Sequence, residues 1–181
     1  MKLLICSDIH GDLESARTVI DFYERERCDR ILILGDILYH GPRNDLPGGY
    51  APKAVIALLN SYKDKILAVR GNCDAEVDQM VLDFPIMADY ALLELDGIRV
   101  FATHGHKFNT SCPPPLQEGD VLLHGHTHVY ANIEFGNGNL YLNPGSVSLP
   151  KENNPKTLMI YEDGIFTLYD LDGNTIMMVN A

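Results

Sequence analysis

Three features of this chain predict an α/β fold of two sheets packed face to face with helices outside. Strand-like and helix-like runs alternate through the first half, and hairpin signals take over from about residue 90. Ligand-type residues from both halves follow strand-like runs, so the two halves must meet at one place. That last feature also argues for a single domain over residues 1–181 rather than two.

The elements follow in order. Leu3 to Ile5 is an apolar run that reads as a first strand. It is too short to be the core of a signal peptide, because Asp8 and His10 interrupt it. Asp12 or Ser15 can cap a helix whose apolar positions Leu13, Ala16, Val19, Ile20 and Tyr23 recur at helical spacing. A strand at 30–34 leads to a loop at 38–50 rich in glycine and proline, which directly follows Asp36 and so belongs to a site wall. A helix at about 51–60, a strand at 66–70 and a short helix after Asp74 come next. Apolar runs at 100–102 and 121–123 read as strands. Asp96-Gly97, Asn137-Gly138, Asp163-Gly164 and Asp172-Gly173 each separate strand-like runs, the strongest short-range hairpin signal.

Bulk properties narrow the function. With 181 residues, 46% hydrophobic and 22% charged, the chain is an ordinary globular one. It holds no run of roughly 20 apolar residues that could span a membrane. A net charge of -11 argues against a nucleic-acid track, which needs neutralising Lys and Arg. Two divalent ions would return about +4 of that charge. Cys6, Cys28, Cys73 and Cys112 lack paired spacing, so four thiols in a reducing, cytoplasmic setting are expected rather than two bridges.

The chemistry sits in five short motifs, Ser7-Asp8-Ile9-His10, Gly35-Asp36, Gly71-Asn72, Thr103-His104-Gly105-His106 and Gly125-His126-Thr127-His128. Strands ending this way bring Asp, Asn and His to one rim, a donor set for metal ions with oxygen and nitrogen ligands. Any one motif is weak, since Gly-Asp is common in turns and Gly71-Asn72-Cys73-Asp74 could be a turn and a helix start. Their joint occurrence, each after a strand, is not. His124 reads as a buried core histidine and His106 as a group beside the ligands or facing substrate. His40 and Arg43 lie in the loop after Asp36, where a cation could hold a phosphate, although Arg43 reads equally well as a surface charge. Asn143-Pro144-Gly145-Ser146 lacks the elbow of serine hydrolases and reads as a tight loop under the site.

These blocks, in this order, resemble the calcineurin-like metallophosphoesterase superfamily, with the match running from Asp8 to His128. His40-Gly41-Pro42-Arg43-Asn44, Gly71-Asn72-Cys73-Asp74 and Asn143-Pro144-Gly145-Ser146 draw it toward the small YfcE-type phosphodiesterases. The resemblance implies a four-layer α/β/β/α sandwich of two mixed β-sheets flanked by helices. It implies one metal on Asp8, His10 and His128, another on Asn72, His104 and His126, and Asp36 bridging them. The implied activity is hydrolysis of a small phosphoester by a metal-bridging hydroxide at two divalent ions, about 3.5–4 Å apart in such sites. Mn²⁺ is the expected ion, with Fe, Ni, Zn or Mg also compatible with the donors. The pattern departs from much of the superfamily at Cys73, where a histidine is thought to protonate the leaving group. A thiol beside two cations tends toward thiolate and is a poor acid, so Cys73, Asp74, His106, His40 and Arg43 are the remaining candidate catalytic residues. A phosphomonoesterase and a Vps29-like binding scaffold are the alternative readings, and homo-oligomerisation is left open.

Overall fold

A computed structural model describes residues 1–181. The elements are β1 (Leu3–Cys6), α1 (Leu13–Arg25), β2 (Arg30–Ile33), α2 (Pro52–Asn60), β3 (Ile66–Ala68), α3 (Glu76–Gln79), β4 (Tyr90–Leu95), β5 (Ile98–Thr103), β6 (Val121–His124), β7 (Ala131–Phe135), β8 (Asn139–Asn143), β9 (Thr157–Glu162), β10 (Ile165–Asp170) and β11 (Thr175–Asn180). They form two mixed sheets, a six-stranded one ordered β11-β10-β9-β1-β2-β3 and a five-stranded one ordered β4-β5-β6-β8-β7.

Period-2 alternation divides each central strand between two cores. In β1, Leu3 and Ile5 face the other sheet, where they meet Val100, Ala102, Val121, Leu123 and Leu142. Leu4 and Cys6 face outward, against Ala16, Val19, Ile20 and Val55 of α1 and α2. Because both faces of β1 are covered, its sequence is continuously apolar rather than alternating. Helix α1 begins at Asp12, whose Oδ1 accepts from the Glu14 N–H at 3.2 Å, so Asp12 rather than Ser15 is the cap. Both principal helices cover the outer face of the six-stranded sheet. On the outer face of the five-stranded sheet, Phe108 packs edge-on against Phe101, with ring centroids 5.6 Å apart.

All four hairpin turns form where the sequence predicts them, joining β4 to β5, β7 to β8, β9 to β10 and β10 to β11. At Asp96-Gly97 and Asp163-Gly164 both residues have positive φ, as a type I′ turn requires. The four cysteines are unpaired. No helix is long and apolar enough to cross a membrane.

The short helix does follow Asp74, but the alternative reading of Gly71-Asn72-Cys73-Asp74 as a helix start capped by Asp74 is not met: the helix starts at Glu76, and Asp78 meets its first turn, its side chain accepting from the Ala75 N–H at 2.8 Å. Asp74 is directed instead toward the β2 loop.

Strand direction positions the site. β1, β2 and β3 run parallel, as do β5, β6 and β8, so the residues after their C-terminal ends collect along one margin of the sandwich. The inter-sheet core fixes that alignment. Leu123→Ala should therefore cost about 2–5 kcal/mol of unfolding free energy in a denaturant titration. A cost below about 1 kcal/mol would mean that β6 is not anchored by this layer.

Candidate metal centre

The parallel pairing of β1 and β2 does not stop where the strands do. Asp8 N–H donates to the Gly35 carbonyl at 3.1 Å, and His10 N–H donates to the Asp36 carbonyl at 2.9 Å. Two carboxylate-bearing loops are thereby held side by side, and both Asp8 and Asp36 are buried. The backbone there is unusual. Asp8, His10, Asp36, His126 and His128 all have φ between 49° and 68°, a region that costs non-glycine residues free energy. Such strain persists only where the surroundings over-determine it.

The surroundings do so through backbone groups. Asp74, itself buried, accepts from Asp36 N–H at 2.9 Å, Ile37 N–H at 2.9 Å and Gly71 N–H at 2.7 Å, pinning the loops after β2 and β3 together. Burial pushes its carboxyl up, against three N–H groups that favour the anion. Ser146 and Ser148 hydroxyls donate to the Asp8 carbonyl at 2.9 and 2.8 Å, so the Asn143-to-Ser146 loop does pack under the site. Gly71 and Gly125 are required by close approach. A Cβ on Gly71 would lie 2.1 Å from Asp36 Oδ1, and one on Gly125 would lie 1.9 Å from Ser7 Oγ.

Each carboxylate is half used. Asp8 Oδ2 accepts from the Ser7 hydroxyl at 2.6 Å and His126 N–H at 3.0 Å. Asp8 Oδ1 is buried with no hydrogen-bond partner and lies 3.2 Å from His128 Nε2 and 3.6 Å from His10 Nε2. Asp36 Oδ1 accepts from Cys73 N–H at 2.8 Å. Its Oδ2 points between His10 Nε2 at 3.8 Å and His104 Nε2 at 3.4 Å.

The histidines are oriented to match. Nδ1 of His10, His104 and His128 lies 2.7, 2.6 and 2.5 Å from the carbonyls of Tyr39, Leu34 and Leu149. A carbonyl only accepts, so each Nδ1 carries the proton and each Nε2 presents a lone pair inward. Those lone pairs converge. His10 and His128 Nε2 are 3.3 Å apart, while His104 Nε2 lies 3.1 Å from Asn72 Oδ1 and 3.2 Å from His126 Nδ1. Lone pairs facing one another around an orphaned buried carboxylate oxygen need positive charge between them. This donor set fits divalent ions. Asp8, His10 and His128 can close on one, Asp8, Asp36 and His104 also lie within reach of a common point, and Asn72 and His126 flank His104. Asp36 reaches both clusters.

The field agrees. Burial works against charge on His104, but Asp36 and Asp8 outweigh it and raise its pKa to about 9. Burial likewise opposes the Asp8 anion, yet His10 and His128 hold its carboxyl well below the usual carboxylate range.

The other sequence candidates separate. Cys73 joins the centre, with its sulfur within reach of the His10 and Asp36 donors. Burial and then Asp36 push its thiol up to about 12, so the protein's own groups oppose the thiolate that proximity to cations suggests. Arg43 lines a cavity of about 360 Å³ over the centre, together with Asn72, His126 and His128. Asn44, in the loop the sequence reads as a site wall, lines it too, whereas Lys151, which no local pattern marks, is a wall that sequence reasoning missed. His40 does not line it, being wedged edge-on between the rings of Tyr39 and Tyr50, with centroids 4.8 and 5.4 Å away. His106 stands 5.4 Å from the His104 ring, and burial, then His104 and His126, lower it to about 4. A neutral imidazole of that basicity is a weak proton donor. His124 is buried and stacked on Tyr141, as a core histidine should be.

Residues 1–163 match the calcineurin-like phosphoesterase superfamily domain. The chain is 44% identical over 177 residues to the phosphodiesterase YfcE of Escherichia coli K12, covering 98% of this chain and 96% of that one. The solved structure of the E. coli YfcE phosphoesterase superposes with a TM-score of 0.96 over 99% of both chains. The probable metallophosphoesterase YsnB of Bacillus subtilis is 28% identical, over 97% of this chain and 95% of that one.

Asp74 touches none of the candidate metal positions, yet it holds the loops that carry Asp36 and Asn72. Asp74→Asn keeps the volume but turns one acceptor into a donor facing backbone N–H groups. Manganese affinity measured by calorimetry should fall roughly 10–100-fold. An unchanged affinity would show that the loops hold their geometry without this clamp.

Proposed function

This chain belongs to the calcineurin-like phosphoesterase superfamily and is a metal-dependent phosphoesterase, and we propose that it is a phosphodiesterase working through a binuclear centre. The observation that carries the reading is that Asp8, Asp36, His10, His104 and His128 gather in overlapping groups around common points, with Asn72 and His126 beside His104. In it, Asp8, His10 and His128 would hold one ion, Asn72, His104 and His126 the other, and Asp36 would be shared between them. The oxygen-and-nitrogen donors and the family favour Mn²⁺.

When bound, two divalent ions generate a nucleophile from water at neutral pH and offset the charge that develops on the phosphate oxygens. The protein's own groups do the rest. The carbonyls of Tyr39, Leu34 and Leu149 hold the Nδ1 proton of three ligand histidines, so each ring turns its Nε2 toward the metal positions. Arg43, Asn44 and Lys151 line the cavity and present hydrogen-bond donors to a phosphate anion. No serine or cysteine nucleophile is needed. Cys73 stands where much of the family has a histidine, and a thiol is a poor general acid, which favours substrates whose leaving groups depart without a proton. This is the ground for a diesterase acting on activated esters over a monoesterase of basic alcohols. The complete donor set argues against a binding scaffold. The unpaired thiols support a cytoplasmic setting.

Elemental analysis of manganese-reconstituted protein should find about two ions per chain, and EDTA should abolish hydrolysis of an aryl phosphodiester; protein that takes up no divalent ion would end this reading. Asp36→Asn should weaken both metal positions and lower the rate at least about a hundredfold, whereas Asp8→Asn should weaken mainly one. Retention of both ions at near-normal rate in the Asp36 variant would assign the bridge elsewhere.

The thiol makes a second test. General acid catalysis typically supplies about 10²–10⁴-fold, and an alkoxide needs it far more than an aryl oxide. Cys73→His should therefore raise turnover of alkyl or nucleoside esters more than that of nitrophenyl esters, measured at matched metal occupancy. Equal gains on both would remove leaving-group protonation from this position.

A further inference from the structure

Two cavities adjoin at Cys73, and their walls differ in kind. One is the polar cavity over the metal centre, with Arg43, Asn44 and Lys151 on its walls. The other is an open groove of about 430 Å³, lined chiefly by Tyr39, Tyr50, Ile56, Val77 and Val81, with Cys73 at the boundary. We propose that this groove is the subsite for one organic group of the phosphoester, so that the enzyme selects esters bearing an aromatic or other bulky apolar group. The inference rests on the phosphodiesterase reading and adds to it the class of substrate.

The groove has the size of a small-ligand site, about 300–1,000 Å³. It is left apolar at a cost, because Tyr39 is 42% exposed, Val77 63% and Val81 41%. Its walls are built into the metal centre. The Tyr39 carbonyl is the acceptor that orients His10, so the wall and the ligand are set by one backbone group. The Tyr39, His40 and Tyr50 rings stack edge-to-face in sequence, and Tyr50 lies so close over Gly11 that a Cβ there would meet its ring at 2.6 Å. A pre-formed wall of this sort binds an apolar group without first ordering side chains.

Charge decides which part of a substrate goes where. The groove's two ionisable walls, Lys53 and Asp78, are of opposite sign and exert no net pull on an anion. The phosphate is drawn to the polar side, toward the metal positions, Arg43 and Lys151. An ester group on the Cys73 side of that phosphate adjoins the apolar groove. Cys73 lines both cavities and is small, so the passage at the boundary stays open where a histidine would narrow it.

Competitive inhibition of manganese-loaded enzyme by methylphosphonate, benzylphosphonate and naphthylmethylphosphonate tests this, since each carries one organic group and cannot be hydrolysed. In the native enzyme the naphthylmethyl compound should bind about tenfold or more tighter than methylphosphonate. In Val77→Asp/Val81→Ala that ratio should fall to within about threefold, with the methylphosphonate constant little altered. Val77→Asp alone, at a solvent-exposed position, should give the same direction if the double variant does not fold. A flat series in the native enzyme, or a ratio that survives in the variants, overturns the groove. Protein that neither binds manganese nor responds to methylphosphonate overturns the phosphodiesterase reading instead. A concentration-dependent dimer in sedimentation, dissociated by Val77→Asp, would make the groove a contact between copies and also overturn the proposal.

Discussion

Two carboxylates are forced together at the buried ends of adjacent parallel strands, and most of the site follows from that constraint. Asp8 and Asp36 lie side by side because β1 and β2 are parallel and their pairing continues through the loops, Asp8 to Gly35 and His10 to Asp36. Like charges so placed and so buried are unfavourable unless positive charge meets them. The histidine lone pairs and the unpartnered Asp8 oxygen face the same space, so neutral protein groups do not supply that charge. The centre is a deficit that divalent ions fill.

Holding that arrangement draws on stability elsewhere. Five of the converging side chains sit on left-handed backbone, and the compensation is a frame of backbone hydrogen bonds. Asp74 ties the loops after β2 and β3, the Ser146 and Ser148 hydroxyls tie the loop after β8 to Asp8, and Leu149 orients His128. Beneath them, the two apolar layers of the sandwich align the strands. Rigid strands and strained tips divide the work between fold and function.

The same loop serves two ends. Residues 38–50 carry the Tyr39 carbonyl that orients His10, the Arg43 side chain over the polar cavity, and the Tyr39 and Tyr50 rings of the apolar groove. Substrate recognition and metal orientation are mechanically joined there. A change in this loop would therefore reach both affinity and metal geometry. Cys73, at the boundary between the cavities, belongs to both as well.

Much is legible in the chain alone because the signals are local. An Asp-Gly or Asn-Gly pair between apolar runs marks a tight turn through its own backbone preferences, and all four predicted hairpins form. A polar motif directly after an apolar run marks a strand end, which is why the amino-acid sequence alone singles out Asp8, Asp36, Asn72, His104 and His126. What local pattern could not determine was which distant groups would partner. Three strands of the hairpin half, β9 to β11, join the sheet begun by β1 rather than the one formed by β4 to β8. Asp74 reads as a helix cap, yet it turns toward N–H groups near residue 36. Lys151 and Leu149 carry no motif at all, and the loop at 38–50 reads as a site wall without showing that its Tyr39 and Tyr50 rings would line a groove. Turn and strand preferences act within a few residues, whereas hydrogen-bond partners and cavity walls arise between segments far apart in sequence, and only packing of the two sheets brings them together.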